Sequence, residues 1–546
     1  MIIDKVVIIN FKGFRSKFSI DLNSGLNIVV GNNEAGKSTI LEAINLALTG
    51  LYNGRYLQNE LSQYLFNEPS VSEYIASLAN GQPLPPPAIL IELYISGGEE
   101  IAFMQGDKNS DKKFCTGVFL KIEFNEDYKA AYEVLIKGGD VKTIPMEYYH
   151  IIWKTFARQS ITARNIPLKS AFIDSSSVRH QNGSDIYISR IIKELLSQEE
   201  IVSVSQSHRK MKEYFMGDAS IEAINKKINT LSKITEKEVK ISVELSSKNA
   251  WESGLTTYLD DIPFHYIGKG EQSIVKTNLA LAHNKAQEAN VILIEEPENH
   301  LSHTKLNQLI KTVKDSCENK QIIVTTHSSF VANKLGLSDL ILLNDKKTLK
   351  LNELSPGTKV FFEKIAGYDT LRLMLCDKAI LVEGDSDELL VQKAYQIQNG
   401  GKLPIEDCIE VISVGVSFLR FLEIANKLNK TVCVVTDNDG DVAALKNKYE
   451  IYLGENKKPN IRICFDETVD EGELKIGGKD FNYNTLEPKF LKENNLPILN
   501  KVFGVDYEEA DGMHKYMRNN KTDCALKVFE TNHKMNYPQY ILDAIK

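Results

Sequence analysis

The chain has 546 residues, 42% of them hydrophobic and 25% charged, the proportions of a globular protein. A prior of about 150 residues per domain gives three to four units with ample chain to bury a core, which excludes a disordered or fibrous protein. The net charge of −8 leaves no whole-chain basic footprint. It does not exclude nucleic acid, because enzymes that hold metal at carboxylates are often acidic overall and carry a local basic groove.

Met1 to Ile8 reads as a strand and not as a secretion signal. Val6–Ile9, Phe18–Ile20 and Leu26–Val30 follow as strands at short spacing. A Gly-rich turn covers 31–36, and an apolar helix runs from Ser38 to about Leu48. Pro83 to Pro87 is a loop, and Ile89–Phe103 and Phe119–Ile136 read as further strands. From about 184 to 240 Lys, Glu and Ser dominate. Ile221, Ile224, Ile228 and Leu231 step by 3, 4 and 3, one face of an amphipathic helix. That helix is either solvated and packed on the core or part of an insertion that makes a dimer contact. Strands return at Val291–Ile294 and Gln321–Thr325. Ala379–Val382, Ile409–Val414 and Val432–Thr436 are each followed by a helical pattern, the rhythm of a second α/β domain beginning near 350–376. The expected division is 1–183, a helical insertion at 184–245, 246–370 and 371–546. No run of ~18 apolar residues offers a membrane span. Seven cysteines without a CxxC pair read as reduced, mostly buried thiols of a cytoplasmic protein.

Gly31-Asn32-Asn33-Glu34-Ala35-Gly36-Lys37-Ser38-Thr39 fits GxxxxGK[ST], with a strand before it and a helix after it. The glycines let backbone N–H groups turn inward around phosphates. Lys37 would sit on the β- and γ-phosphates, Ser38 on Mg²⁺, and the helix N-terminus favours the anion. Downstream, Val291–Ile294 ends in Glu295-Glu296-Pro297. A carboxylate at such a strand tip holds the water shell of Mg²⁺, and the next can polarise the attacking water. Gln321–Thr326 ends at His327, and Gly268-Lys269-Gly270-Glu271-Gln272-Ser273 starts a helix rich in Leu and Ala.

In this order the four pieces resemble the ABC-type ATPases, particularly their DNA-repair and SMC-like branch. The resemblance implies an ATP site with Gly31–Thr39 as the Walker A loop, its Asn33 and Gly36 included. Gly268–Ser273, with Gly270, would be the signature motif, a departure from the usual LSGGQ. Glu295 stands where most relatives have Asp, and Glu296 is the water-activating residue. Leu301-Ser302-His303 falls at the D-loop, and His327 senses the γ-phosphate. A signature motif completes the ATP site of a neighbouring subunit, so a homodimer or higher homo-oligomer is implied. The interval from Lys37 to Gly268 leaves no room for a long coiled coil.

A second constellation follows. Ala379–Val382 ends in Glu383-Gly384-Asp385-Ser386-Asp387, and Val432–Thr436 ends in Asp437-Asn438-Asp439-Gly440. The C-terminal ends of strands in an α/β sheet line the ligand crevice. Glu383, Asp387, Asp437 and Asp439 can therefore converge there, as a hard cation requires. Alone, Asp437 to Gly440 is commonly an Asx turn, and Ser386 and Asp387 commonly cap a helix; the pairing of two strand ends points to metal.

These two motifs resemble the Toprim domain, with a Glu on one strand and DxD on another. An ABC-type ATPase followed by Toprim is the arrangement of the OLD-family nucleases. The chain is thus expected to be α/β throughout, an ATPase head with a helical insertion followed by a Toprim domain. The resemblance also implies Glu487, and Thr485 beside it, at a second metal, and a catalytic Lys at Lys521, with Arg518 and Lys527 as neighbours. The implied activity is an ATP-binding DNA endonuclease of anti-phage defence. Mg²⁺ or Mn²⁺ at Glu383, Asp387 and Asp437 would activate a water, and a second ion near Asp439 and Glu487 would neutralise the leaving oxygen. Lys521 would stabilise charge on phosphorus. Some relatives act beside a helicase, or beside a retron reverse transcriptase and its small DNA. The rival reading is an ATP-gated DNA clamp or regulator without nuclease activity; no membrane partner is expected.

Overall fold

The computed structural model describes residues 1–32, 34–138, 141–174, 180–181, 184–185, 196–231, 241, 257–282, 288–299, 301–316, 320–328, 337–364, 372–373 and 376–546. They form two compact units, Met1–Asn27 with Ser38–Thr326, and Ile28–Lys37 with His327–Lys546.

In the first unit, β1 (Ile2–Ile9) pairs antiparallel with β2 (Phe18–Asp21). β3 (Leu26–Val30) leads across into the second unit, and α1 (Lys37–Thr49) leads back. β4 (Ile89–Ser96) pairs with β1 and with β5 (Cys115–Phe124), which also pairs with β6 (Tyr149–Thr155), all antiparallel. Val7, Tyr94, Phe119 and Phe156 pack together on this sheet. Two expected strands are shorter than read. The first ends at Ser96, because Gly97 and Gly98 both adopt positive φ and turn the chain. The second ends at Phe124. Asn125 there accepts the Asp127 N–H (3.1 Å) and opens a turn into a helix at Lys129–Lys137, where Ala130, Ala131 and Leu135 favour helix over strand.

β7 (Ser170–Asp174) lies parallel to β8 (Val291–Glu295), which lies parallel to β9 (Gln321–Thr326). All six residues of β9 are buried. Its first, Gln321, donates from Nε2 to the Ile3 and Asn23 carbonyls (both 2.8 Å) and accepts the Ile3 N–H (2.8 Å), so no buried amide atom is wasted. α2 (Gln198–Met216) starts at a Ser197–Glu200 capping box, and α3 (Ala219–Leu231) carries the Ile221-Ile224-Ile228 face. No residue of α2 is buried.

In the second unit, β10 (Leu340–Asn344) pairs in parallel with Ile28–Val30 of β3. β11 (Lys347–Lys350) is antiparallel to β10. A fully parallel sheet follows, in the order β13-β12-β14-β15, built of β12 (Lys378–Val382), β13 (Ile409–Ser413), β14 (Thr431–Val435) and β15 (Ile461–Cys464). Parallel strands need crossovers, and α4 (Asp385–Gln398) and α5 (Phe418–Lys427) supply two of them. The central strands β12 and β14 read Ala-Ile-Leu-Val and Val-Cys-Val-Val, apolar on both faces because helices cover both. Of the six described cysteines, four are buried, and all six are free thiols. Among the described residues no helix is long and apolar enough to cross a membrane.

Candidate active sites

The phosphate loop follows β3 in the second unit. A Cβ at Gly31 would lie 2.4 Å from the Leu343 carbonyl oxygen, so only glycine passes β10 here. Gly36 has φ +108°, outside the range of ordinary side chains. The buried Lys37 ammonium donates to the carbonyls of Gly31 (2.8 Å) and Asn32 (2.9 Å). Lys346, from the β10–β11 turn, donates to those of Ala35 (3.0 Å) and Glu34 (3.3 Å). Phosphate oxygens are stronger acceptors than these carbonyls, and Lys37 is placed to exchange one for the other. Asn33 lies outside the described residues.

In the first unit, Ser38 is half-buried and Thr39 buried in the first turn of α1, where helix N–H groups lack intrahelical partners. Glu295 ends β8. Glu296 takes φ +38°; its N–H donates to the Thr325 carbonyl (2.9 Å) and its Oε2 accepts from Asn299 (3.2 Å). Two residues on, Glu298 accepts the Thr326 hydroxyl, an acid the motif pattern does not single out. Gly270 lies in the first turn of a helix spanning Lys269–Ala282, which buries Gln272 and Ser273 on its inner face. His327, the first residue of the second unit, is exposed just past β9.

The Toprim-like residues all lie in the second unit, at the C-terminal edge of its parallel sheet. Glu383 is exposed just past β12, and its carbonyl accepts the Gly415 N–H (3.0 Å) and the Ser413 hydroxyl (3.2 Å). Asp387, in the first turn of α4, accepts the Gly384 N–H at Oδ2 (3.1 Å). Asp437, past β14, accepts the Leu486 N–H at Oδ2 (3.0 Å). Glu487 is buried at the start of α6 (Leu486–Glu493) and accepts Thr485 Oγ1 at Oε2 (3.2 Å). Its Oε1 meets the Lys521 ammonium at 2.9 Å, at the first residue of α7 (Lys521–Glu530).

These groups feel one another. Burial, then the charges of Glu487 and Glu383, push the Asp387 carboxyl up to about 7. Burial, then Asp387, Glu487 and Glu383, push Asp437 well above the usual carboxylate range. Burial pulls the Lys521 ammonium down, but Glu487, Asp437 and Asp387 outweigh it and leave it raised. Among the described residues, carboxyl groups thus outnumber the lysine that meets them, and the two raised ones resist ionising together. Among the described residues no group of three or more His, Cys, Asp or Glu side chains is arranged to hold a metal ion. The donors are all oxygen, the chemistry that Mg²⁺ and Mn²⁺ take, and their mutual repulsion is what a hard divalent cation relieves. Asp439 has φ +49° and accepts Asn482 Nδ2 (3.1 Å).

Of the three basic neighbours, Lys527 donates to the Phe503 carbonyl (2.6 Å) and faces Tyr516 Oη (3.4 Å), a structural task, and Arg518 is exposed. Lys521 alone of these meets a site carboxylate. Several positions that shape the site carry no motif signal. Asn438 is buried and donates to the carbonyls of Asp466 (2.7 Å) and Thr468 (2.8 Å), which makes the middle residue of Asp-Asn-Asp an anchor. Lys489, 3% exposed, bridges Asp466 (2.8 Å) and Asp470 (2.7 Å). Asn484 pairs with the backbone of Asp470 through both amide atoms.

Residues 5–321 match the family model described as AAA domain, and 374–439 match the overcoming lysogenization defect protein-like TOPRIM domain. The chain is 22% identical to "Endonuclease GajA" of Bacillus cereus (strain HuB5-5), over 96% of this chain and 86% of that protein. It is 25% identical to "ATP/GTP phosphatase" of Helicobacter pylori (strain ATCC 700392 / 26695), over 60% and 85%. It is 20% identical to "Retron Vc95 probable ATPase" of Vibrio cholerae serotype O1 biovar El Tor, over 73% and 83%. The first family model spans more than half of the sequence and the second covers the strands that lead to Glu383 and Asp437, so the chain belongs to the AAA-domain family and joins to that domain an OLD-like TOPRIM domain.

Proposed function

We propose that the protein is an ATP-binding, divalent-cation-dependent DNA endonuclease, acting as a homodimer or higher oligomer in defence against phage. The observation that carries this is the Lys521 ammonium on Glu487 Oε1 (2.9 Å), with Asp387 and Asp437 past two strand ends of one parallel sheet and both carboxyls raised by burial and by the acids around them. Glu383, Asp387 and Asp437 would hold one cation, and Asp439 and Glu487 a second. When bound, such ions lower the pKa of a water and offset charge on a phosphodiester. The chain's own residues do the rest. Asp437, held by the Leu486 N–H, keeps its orientation. Lys521, half-exposed, brings its ammonium to a non-bridging phosphate oxygen. At the nucleotide, Lys37 exchanges loop carbonyls for phosphate, Ser38 meets the ATP-bound Mg²⁺, and Glu296 takes a proton from the attacking water. Gly270, from a neighbouring subunit, and His327 are further candidates for nucleotide binding. The relative named for a retron favours a retron reverse transcriptase with its small DNA as partner; a helicase is the alternative.

The test is cleavage of plasmid and single-stranded DNA by the purified protein with Mg²⁺ or Mn²⁺, with and without ATP, beside Glu383→Ala. Cutting that needs the ion and is lost in Glu383→Ala, while ATP binding persists, supports the reading. Normal cutting by Glu383→Ala overturns the site.

A further inference from the structure

Asp437 is held from two directions. One is local to the site, the Leu486 N–H on Oδ2 at 3.0 Å. The other comes from the far end of the chain: the Tyr540 hydroxyl faces Oδ1 at 3.4 Å, across 103 residues of sequence. Tyr540 lies in α8 (Gln539–Ala544), which packs on β14, β15 and α4, the elements that carry or flank Asp437 and Asp387. Ile541 and Ala544 are fully buried in the core shared with Val435 and Leu390, and the Arg462 guanidinium of β15 donates to the Ala544 carbonyl (3.4 Å). The helix is therefore anchored, and the Tyr540 ring, itself buried, has little room to turn.

We propose that Tyr540 is a positioning residue that aims the Asp437 carboxylate at a divalent cation. A carboxylate has about four lone-pair directions. The Leu486 N–H uses one and the Tyr540 hydroxyl faces another, which leaves one on each oxygen for a cation. The chemistry of the partner matters. A lysine or arginine on Asp437 would compete with the incoming ion for the same charge. A phenol and an amide N–H orient the carboxylate without neutralising it, in the manner of donors that stand behind metal ligands. The inference rests on the metal-dependent reading of the site and adds to it a residue from the C-terminal helix.

The test uses the full chain without nucleotide or DNA and reads Mn²⁺ binding directly by electron paramagnetic resonance. Tyr540→Phe keeps the ring and removes only the oxygen. Its melting temperature in EDTA is expected to stay near wild type, while Mn²⁺ affinity falls about tenfold. Tyr540→Phe in an Asp437→Asn background is expected to add no further loss, because the oriented group is already gone. Unchanged Mn²⁺ affinity in Tyr540→Phe overturns the inference, as does a loss that adds in full to that of Asp437→Asn. Either result leaves the nuclease reading intact if wild type binds Mn²⁺. A wild type that binds none overturns the metal-dependent reading, and this inference with it.

Discussion

Asp387 is an acid whose folded environment works against its charge. Its carboxyl is pushed up to about 7 by burial and by Glu487 and Glu383. A raised carboxyl stabilises the fold fully below its unfolded value, near 4, and that contribution is lost as pH rises through about 7. Without cation, Asp387→Asn should therefore melt on the order of 5 °C above wild type at pH 8, with the gap closing toward pH 5. Thermal melts in EDTA at the two pH values check this; a gap that is equal at both would remove the charge argument. Saturating Mg²⁺ should reverse the order at pH 8, because the ion binds the ionised carboxylate. At this scale the motif acids are legible because strand ends followed by Gly and Asp are local features. Tyr540 and Lys489 are not, because neither stands beside the residues it serves.

The loop after β15 shows how an element is held in place for the site. Lys489 on α6 bridges Asp466 and Asp470, and Asn438 and Asn484 bind its backbone. Burial raises both carboxyls, but hydrogen bonds from Lys489, joined by Thr468 at Asp466 and by Lys492 at Asp470, outweigh it and leave both below the ordinary range. Lowered carboxyls stabilise above their unfolded value and lose that contribution as pH falls through the folded one, so this clamp weakens only in acid. Lys489→Met should cost about 3 kcal/mol at pH 7, because it leaves two acids without their buried cation. Urea unfolding measures it, and a cost under half of that would show the clamp to be incidental. Helix and strand types were readable where period and composition agreed, as in the apolar runs of β12 and β14. The stretch from Phe119 to Ile136 was not, because its apolar residues continue through Asn125 from strand into helix.

For the whole molecule, the nucleotide and carboxylate sites should separate by mutation. Lys37→Ala should abolish ATP binding and leave Mn²⁺ binding at the carboxylates unchanged; calorimetry with each ligand measures both. If Lys37→Ala removes Mn²⁺ binding as well, the two sites are not independent. Glu296→Gln should slow ATP hydrolysis by at least about 100-fold and accumulate an ATP-bound dimer, read by light scattering with and without ATP. Equal mass under both conditions would sink the expectation that the signature segment completes a neighbour's site.

The sequence by itself determined the two motif sets, their order and the class of fold, because each rests on short-range patterns: a glycine turn between strand and helix, or acids at the tip of an apolar strand. Tertiary structure decided which groups lie together. It put the Lys521 ammonium on Glu487 and the Lys527 ammonium on the Phe503 carbonyl. It turned Asn438 into an anchor, and it brought Tyr540 from the last helix to Asp437. Those pairings span tens to a hundred residues and depend on how helices cover a parallel sheet, which local spacing does not encode.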